Sequence, residues 1–140
     1  MIYISRETHF CAAHKLWNEK WSKEKNFEVF GPCANENWHG HNFDMRVTVK
    51  GKPDPDTGFV INFKDLKKLV NEEIIQKVDH KNLNIDVPFL EGKLTSCETL
   101  VVEFWNILAP KILKMTDGKV ALHCIKLTET KNNYAEYYGE

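Results

Sequence analysis

The 140-residue sequence is short of the features that mark several classes of protein. It has four cysteines and no Cys-x-x-Cys pair, so we expect reduced thiols rather than a disulfide framework. No apolar run reaches membrane-spanning length, and the charges of Arg6 and Glu7 come too early for the apolar core of a signal peptide. The net charge of −1 is unlike the basic footprint of a nucleic-acid-binding protein. These absences predict a cytoplasmic protein that binds neither membrane nor nucleic acid.

The sequence also lacks internal repeats and low-complexity segments. What it has is an ordinary globular balance, with 42% hydrophobic and 28% charged residues. A chain of this length has the usual size of one domain, and its apolar content is sufficient for a hydrophobic core. We therefore expect a single domain over residues 1–140.

Alternating apolar and polar residues predict several β-strands. Phe43 and Met45, for example, fall on one face of their strand, whereas Asp44 and Arg46 fall on the other. Patterns of this kind place strands at residues 2–14, 39–51, 120–130 and 134–138, with a short returning strand at 59–61.

Two helices are predicted between these strands. The first covers residues 63–78, with Asn62 as its N-cap and an apolar stripe at helical spacing. The second begins near Thr95-Ser96-Cys97-Glu98, which matches a capping box, and Pro110 is expected to kink or end it. Residues 15–38, which are rich in Trp, Lys, Glu and Asn, are interpreted as a long loop.

The order of the elements, strands followed by two helices and then strands, indicates an α+β fold with a four-stranded antiparallel sheet. The edges of an open sheet present unpaired backbone groups, which proteins cover, close into a barrel or pair across subunits. Oligomerisation is therefore expected from the predicted elements alone.

Three histidines form a candidate metal site. His39 and His41 are two residues apart on a predicted strand, so their imidazoles point to the same side, and Gly40 permits close backbone approach. His14 ends the first strand, which commonly pairs with the next one. Three histidines without a carboxylate are typical of catalytic zinc, because the fourth position stays open for water or substrate. Cys33 is an alternative fourth ligand, which would close the site and make it structural.

Other polar residues allow both a functional and a structural interpretation. Asp79-His80 matches a common acid–base unit, but it also suits a solvated loop after a helix end. Adjacent side chains seldom bond each other, so we expect each of the two to have its own partner. Glu129 lies inside a predicted strand, where a carboxylate either binds the amide-like edge of a guanine or pterin ring or is simply exposed. Glu98 is explained by the capping box alone.

Short motifs that recur together in one protein family are spread over the whole chain. They are Phe10-Cys11-Ala12-Ala13-His14-Lys15-Leu16, Phe30-Gly31-Pro32-Cys33, His39-Gly40-His41-Asn42-Phe43, Asp54-Pro55-Asp56-Thr57-Gly58, Asp79-His80-Lys81-Asn82-Leu83-Asn84, Asp86-Val87-Pro88, Thr128-Glu129-Thr130 and Tyr138-Gly139-Glu140. Together they resemble the 6-pyruvoyl-tetrahydropterin synthase family, which includes the 6-carboxy-tetrahydropterin synthases of queuosine biosynthesis. The combination is specific, although no single motif is.

The resemblance implies a T-fold, which is an antiparallel sheet with two helices on one face. Members of the family assemble trimers into a barrel and stack two trimers as a hexamer, with active sites between subunits. The resemblance also implies that zinc is bound by His14, His39 and His41.

The resemblance further implies roles in catalysis and substrate binding. Proton transfer is expected at Cys33, Asp79 and His80. Glu129 is expected to anchor the pterin ring, and further ring contacts are expected at Ser96, Cys97 and Glu98. Cys97 replaces a threonine that is common in the pyruvoyl-forming branch, so a hydroxyl contact is not expected there.

The implied reaction is the zinc-dependent conversion of 7,8-dihydroneopterin triphosphate to 6-pyruvoyl- or 6-carboxy-tetrahydropterin, with elimination of triphosphate. The spacing from Cys33 to His39 resembles that of the pyruvoyl-forming branch. Glu36 opens an alternative, because some relatives use a glutamate three residues before the first motif histidine to form a 6-hydroxymethyl pterin for folate synthesis. A non-catalytic zinc module closed by Cys33 is the remaining alternative.

Overall fold

The computed structural model describes residues 1–140 and places one five-stranded sheet against the helices. The elements are, in chain order, β1 (Ile2–His14), α1 (Lys23–Phe30), β2 (His39–Gly51), α2 (Phe63–Val70), α3 (Gln76–Val78), β3 (Lys81–Asn82), α4 (Cys97–Met115), β4 (Val120–Thr130) and β5 (Asn133–Tyr137). Short 3₁₀ helices cover Gly31–Ala34 and Pro88–Leu90. A π-helical segment, Asn71–Ile75, joins α2 to α3 without a break, so the two form one continuous helix.

The sheet has the strand order β3-β1-β2-β4-β5. β1 and β2 pair antiparallel along their whole length, from Ile2 opposite Gly51 to His14 opposite His39. β3 runs parallel to β1. The prediction of four antiparallel strands is therefore wrong, because the sheet is mixed and has five strands. The additional strand is two residues long, which is too short for an alternation pattern to reveal it.

The hydrophobic core lies between one face of the sheet and the helices. β2 contributes alternate buried residues from Phe43 to Val49, and α4 contributes Leu100, Phe104 and Leu108 at helical spacing. All of them belong to one cluster of 24 buried residues, so the chain has a single core. Burial of each large apolar side chain contributes roughly 1.5–3 kcal/mol. The core therefore holds in place the end of β1 and the start of β2, which lie next to each other in the sheet.

The prediction of one long loop over residues 15–38 is wrong in part. Helix α1 lies within them, and Ser22 caps it by accepting a hydrogen bond from the backbone N–H of Lys25. The side chain of Asn26 is fully buried, and it bonds to both the backbone N–H and the carbonyl of Asn18. A buried polar side chain, rather than an apolar stripe, thus ties this helix to the loop before it. Helix α1 therefore could not be predicted from hydrophobic periodicity.

The N-cap of helix α4 lies one residue after the predicted cap, Thr95. Ser96 is the N-cap and accepts a hydrogen bond from the backbone N–H of Thr99. The capping box predicted from Thr95 to Glu98 is therefore wrong, since Thr95 is buried and its hydroxyl bonds elsewhere. The helix also continues beyond Pro110, so the proline does not end it.

The segment over residues 59–78 matches its prediction only in part. The helix over residues 63–78 is confirmed, although its middle turn is π-helical. The strand predicted at 59–61 is absent; Ile61 is buried in the core, and Asn62 caps α2 by accepting a hydrogen bond from Lys64. None of the helices combines the length and the apolar composition that crossing a bilayer requires.

Candidate functional site

The three predicted metal ligands meet where β1 ends and β2 begins. In the antiparallel register His14 lies opposite His39, and Ala12 lies opposite His41, so the three imidazoles emerge on the helix-facing side of the sheet. Their ring centroids are 4.5–5.1 Å apart, and one nitrogen from each ring lies within 4.8 Å of the others. The structure therefore brings the three histidines into one cluster that fits a single ion.

The hydrogen bonding of the cluster suits a cation. His14 is 1% exposed, and its Nδ1 donates to the carbonyl of Thr95 at 2.8 Å. Its Nε2 and both ring nitrogens of His39 are buried without a hydrogen-bond partner. Burial lowers the pKa of His14 to about 4, so the ring is neutral at pH 7 and Nε2 carries a lone pair. Buried nitrogens of this kind are costly unless they are satisfied, and neutral imidazole is a preferred ligand of zinc.

Glu129 lies beside the histidines on β4. Its Oε1 is 3.4 Å from Nε2 of His14 and 3.6 Å from Nε2 of His41. A cavity of about 470 Å³ adjoins the carboxylate, and its lining is Leu16, Ser96, Cys97, Glu98, Glu129, Asn132, Asn133, Tyr134 and Ala135. All four residues expected at the ring-binding site therefore line one cavity, and one of them also reaches the histidine cluster.

The cavity wall contains a thiol that does not ionise readily. Cys97 is buried, and its Sγ donates to the carbonyl of Leu127 at 3.3 Å. Burial, together with the charge of Glu129, raises the pKa of Cys97 to about 11. Cys97 is therefore a neutral group that shapes the cavity and is unsuited to act as a base.

Cys33 and Glu36 lie before β2, outside the histidine cluster. Cys33 is half-buried in the 3₁₀ helix, and its carbonyl accepts a hydrogen bond from the backbone N–H of Leu16 at 2.8 Å. Its sulfur is not among the clustered ligand atoms. Glu36 is exposed in the following turn. The structure thus places Cys33 next to the segment that follows His14, but it does not assemble a site with one cysteine and three histidines.

Asp79 and His80 lie at the edge of β1 and contact each other. The backbone N–H of Cys11 donates to Oδ1 of Asp79 at 2.9 Å, and the N–H of His80 donates to the carbonyl of Cys11 at 2.6 Å. The hydrogen bond from Cys11 holds the pKa of Asp79 below its usual range. Nδ1 of His80 is 3.0 Å from Oδ2 of Asp79, so the expectation of separate partners is wrong. His80 has a positive φ of 57°, a conformation outside the helical and extended ranges that are usual for such residues.

Within one chain, the Asp79–His80 pair lies apart from the cluster of three histidines. Cys11, which binds the pair, precedes His14 by three residues along β1. Three residues of strand span about 10 Å. The catalytic residues implied for one active site are therefore divided between two places on the chain.

Comparison with known proteins places the chain in a family. A family model described as 6-pyruvoyl tetrahydropterin synthase matches residues 3–140. The chain belongs to this family. It is 43% identical over 137 residues to the 6-pyruvoyl tetrahydrobiopterin synthase of Pongo abelii, covering 98% of this chain and 91% of the relative. The Homo sapiens protein of the same name is 42% identical with the same coverage.

A solved structure has the same architecture. The 6-pyruvoyl tetrahydropterin synthase of Caenorhabditis elegans is 32% identical and superposes with a TM-score of 0.90, covering 99% of this chain and 96% of that chain. The five-stranded sheet and the helices packed on it are therefore the fold of a solved tetrahydropterin synthase structure.

In this member of the tetrahydropterin synthase family, two residues that the sequence analysis missed hold His14 in place. The hydroxyl of Thr95 donates to Oδ1 of Asn84 at 3.0 Å. The amide of Asn84 donates to the carbonyl of Lys15 at 2.8 Å and accepts from the N–H of Lys15 at 3.0 Å. This network joins the end of β1, the loop after β3 and the start of α4. The sequence pattern predicts Thr95 as a cap, and it includes Asn84 in a family motif without indicating a role for it.

Proposed function

We propose that the chain is a zinc-dependent lyase that converts 7,8-dihydroneopterin triphosphate to 6-pyruvoyl-tetrahydropterin with loss of triphosphate. The proposal rests on the position of Glu129, whose carboxylate lines the 470 Å³ cavity and also lies 3.4 Å from the histidine cluster. Two kinds of similarity support the pyruvoyl product. Relatives of 42% and 43% identity carry the name 6-pyruvoyl tetrahydrobiopterin synthase, and the spacing from Cys33 to His39 resembles that branch.

The residues of the cluster fit zinc, as their unpartnered buried nitrogens indicate. His14, His39 and His41 are the proposed ligands, and three imidazole ligands leave a fourth position open. Zinc, when bound, supplies Lewis-acid activation of the substrate side-chain hydroxyls, which makes the adjacent protons easier to remove.

The protein side chains account for binding and proton transfer. The two oxygens of Glu129 accept hydrogen bonds from the N–H groups along the amide-like edge of the pterin ring, an arrangement that is strong because the acceptor is charged. Cys33 removes a proton from the substrate side chain as a thiolate. Asp79 orients His80, which relays that proton.

We further propose that the active site is completed by a second copy of the chain within a hexamer. β3 pairs with only Ala12 and Ala13 of β1, and β5 is the last strand at the opposite edge of the sheet. Two largely uncovered edges favour strand pairing between subunits. Such pairing is a route by which the Asp79–His80 pair of one subunit reaches the histidine cluster of another.

Incubation of the zinc-loaded protein with 7,8-dihydroneopterin triphosphate tests the proposal. Triphosphate release is measured by ion chromatography and the pterin product by mass spectrometry. We expect stoichiometric triphosphate and a product with the mass of 6-pyruvoyl-tetrahydropterin. A 6-carboxy product would assign the chain to the other branch of the family. No triphosphate from folded, zinc-loaded protein would refute the lyase function.

Two substitutions identify the base in the same assay. We expect Cys33→Ala to lower triphosphate elimination by roughly 10²–10⁴-fold, which is the usual contribution of a positioned acid or base. Glu36→Ala is the matched control from the same segment, and we expect it to keep wild-type activity because Glu36 is exposed in a turn. Loss of activity in Glu36→Ala but not in Cys33→Ala, with a 6-hydroxymethyl pterin as the wild-type product, would favour side-chain cleavage instead.

A further inference from the structure

The carboxylate of Glu129 faces two imidazoles in a way that hydrogen bonding does not explain. Its Oε1 lies 3.4 Å from Nε2 of His14 and 3.6 Å from Nε2 of His41. Both distances exceed the usual N–H···O range of about 2.7–3.2 Å. Nε2 of His14 has no hydrogen-bond partner even though this oxygen is its neighbour.

The orientation of His14 explains why no hydrogen bond forms. Nδ1 bonds to the carbonyl of Thr95, and a carbonyl only accepts, so Nδ1 carries the proton of the neutral ring. Nε2 then presents a lone pair toward the oxygen of Glu129. Two acceptors that face each other beside a ring that is 1% exposed are unfavourable unless a cation lies between them.

The separations match those of two ligands on one metal ion. Tetrahedral zinc binds nitrogen and carboxylate oxygen at roughly 2.0–2.2 Å, which puts neighbouring ligand atoms about 3.3–3.6 Å apart. The oxygen of Glu129 meets this condition with His14 and His41, whereas the carboxylate lies more than 4.0 Å from the ring nitrogens of His39 and is not one of the clustered ligand groups. We propose that Glu129 is a fourth, displaceable ligand of the metal ion, and that binding of the pterin ring withdraws it. This inference rests on the function proposed above.

The local structure allows Glu129 to serve both sites in turn. It lies where the pairing of β4 with β5 shifts register, between Thr128 and Thr130, and such irregularities redirect side chains. Its side chain is 25% exposed and borders the ring cavity on one side and the cluster on the other. When the ring N–H groups take the carboxylate, the fourth position on the ion opens for a side-chain hydroxyl. Ring recognition would thereby control access to the metal.

Metal binding and cobalt spectroscopy test the inference without turnover. Zinc affinity is measured by chelator competition for the wild type, for Glu129→Gln and for the matched control Glu98→Gln, whose carboxylate lines the same cavity but does not contact the histidines. We expect Glu129→Gln to lose at least about tenfold in zinc affinity, since even groups that only orient a ligand contribute that much. We expect Glu98→Gln to bind zinc as the wild type does.

The cobalt(II)-substituted proteins report withdrawal of the ligand. 6-Methylpterin, which has the ring but no side-chain hydroxyl, is added while its binding is followed by fluorescence. We expect the d–d absorption of the wild type to change on saturation. The ligand-free spectrum of Glu129→Gln should already resemble that of the saturated wild type.

Opposite results overturn the inference and leave the function separately testable. Unchanged zinc affinity in Glu129→Gln, or an unchanged wild-type cobalt spectrum at saturating 6-methylpterin, would show that Glu129 is not a ligand. The cobalt spectrum is measured on the wild type, so it tests the inference even if Glu129→Gln does not fold. If Glu129→Gln raised the KM with zinc affinity intact, the carboxylate would be a ring anchor alone and the lyase function would stand. Failure of the wild type to release triphosphate would refute the function whatever the metal readouts show.

Discussion

Among single residues, Thr95 determines the orientation of a candidate metal ligand, although it lies just before a helix and outside the histidine cluster. Its carbonyl accepts the Nδ1–H of His14, which fixes the tautomer that presents Nε2 to the other histidines. The Thr95 hydroxyl and the Asn84 amide in turn hold that carbonyl in place against the end of β1. Outer hydrogen-bond partners of this kind orient metal ligands and raise their affinity.

Removal of the Thr95 hydroxyl is expected to weaken metal binding. Thr95→Val keeps the shape of the side chain but loses the hydrogen bond to Asn84, so we expect zinc affinity to fall by roughly tenfold. Thr95→Ser keeps the hydroxyl and should restore most of the affinity. Chelator competition is the measurement.

Thr116→Val provides a matched control at the other end of α4. The Thr116 hydroxyl donates to the carbonyl of Ile112 at 2.8 Å and accepts from the N–H of Val120 at 3.2 Å. Its loss should lower the free energy of unfolding by about 1 kcal/mol and leave zinc affinity unchanged. Equal zinc affinity in Thr95→Val and Thr116→Val would mean that the Thr95 network is only structural.

Among the elements, the continuous α2–α3 helix is fastened to α4 by one carboxylate. Glu73, in the π-helical segment, contacts Nζ of Lys77 and Nζ of Lys111, both at 3.0 Å. Hydrogen bonds from the two lysines hold the pKa of Glu73 below its ordinary value of 4.5. The contact with Lys111 joins two helices, whereas the contact with Lys77 is an ordinary one-turn pair.

Glu73→Gln is expected to destabilise the protein in a pH-dependent way. At pH 7 the free energy of unfolding should fall by up to about 1 kcal/mol, as for a partly exposed ion pair. Because the folded-state pKa lies below 4.5, the contribution of Glu73 is present above that pH and is lost as the pH falls through the folded-state pKa. Urea unfolding of wild type and variant should therefore converge in acid.

Glu72→Gln is the neighbouring control for that comparison. Glu72 is exposed, and its contact with Lys68 is 4.0 Å long. We expect no measurable change in the free energy of unfolding. A difference between Glu73→Gln and the wild type that persisted in acid would contradict the assignment to the ion pairs.

In the molecule as a whole, the implied catalytic groups do not meet within one chain. The Asp79–His80 pair binds the backbone of Cys11, about 10 Å along β1 from His14. The sheet also retains edges that β3 and β5 leave open. Both features favour an assembly in which neighbouring subunits share each active site.

Mixing two inactive variants tests this sharing. Cys33→Ala and His80→Ala, each inactive alone, are exchanged into mixed oligomers. If each site takes Cys33 from one chain and His80 from another, about one quarter of the sites in a random mixture are intact. We expect triphosphate release to recover to that extent, and light scattering to give a multiple of 16.3 kDa. No recovery after exchange has been verified by native mass spectrometry would contradict a shared site.

Local pattern was enough to predict most strands and the long helices. The alternation in residues 2–14 and 39–51 places His14, His39 and His41 correctly, because the pleat of a strand alone decides which side chains share a face. β3 and α1 escaped prediction for opposite reasons. β3 is too short to have a period, and α1 depends on the buried polar side chain of Asn26.

The relation between Glu129 and the histidines follows from tertiary structure, and so does the tautomer of His14. The Thr95 carbonyl lies 81 residues from His14 along the chain, and Glu129 lies beside the cluster on β4, where the pairing with β5 shifts register. The periodicity of apolar residues along a segment does not predict contacts between residues so far apart in the chain. The amino-acid pattern thus specifies which side chains point toward the site, whereas the packing of α4, β4 and the loop after β3 specifies which atoms meet there, because those contacts exist only when the core has closed.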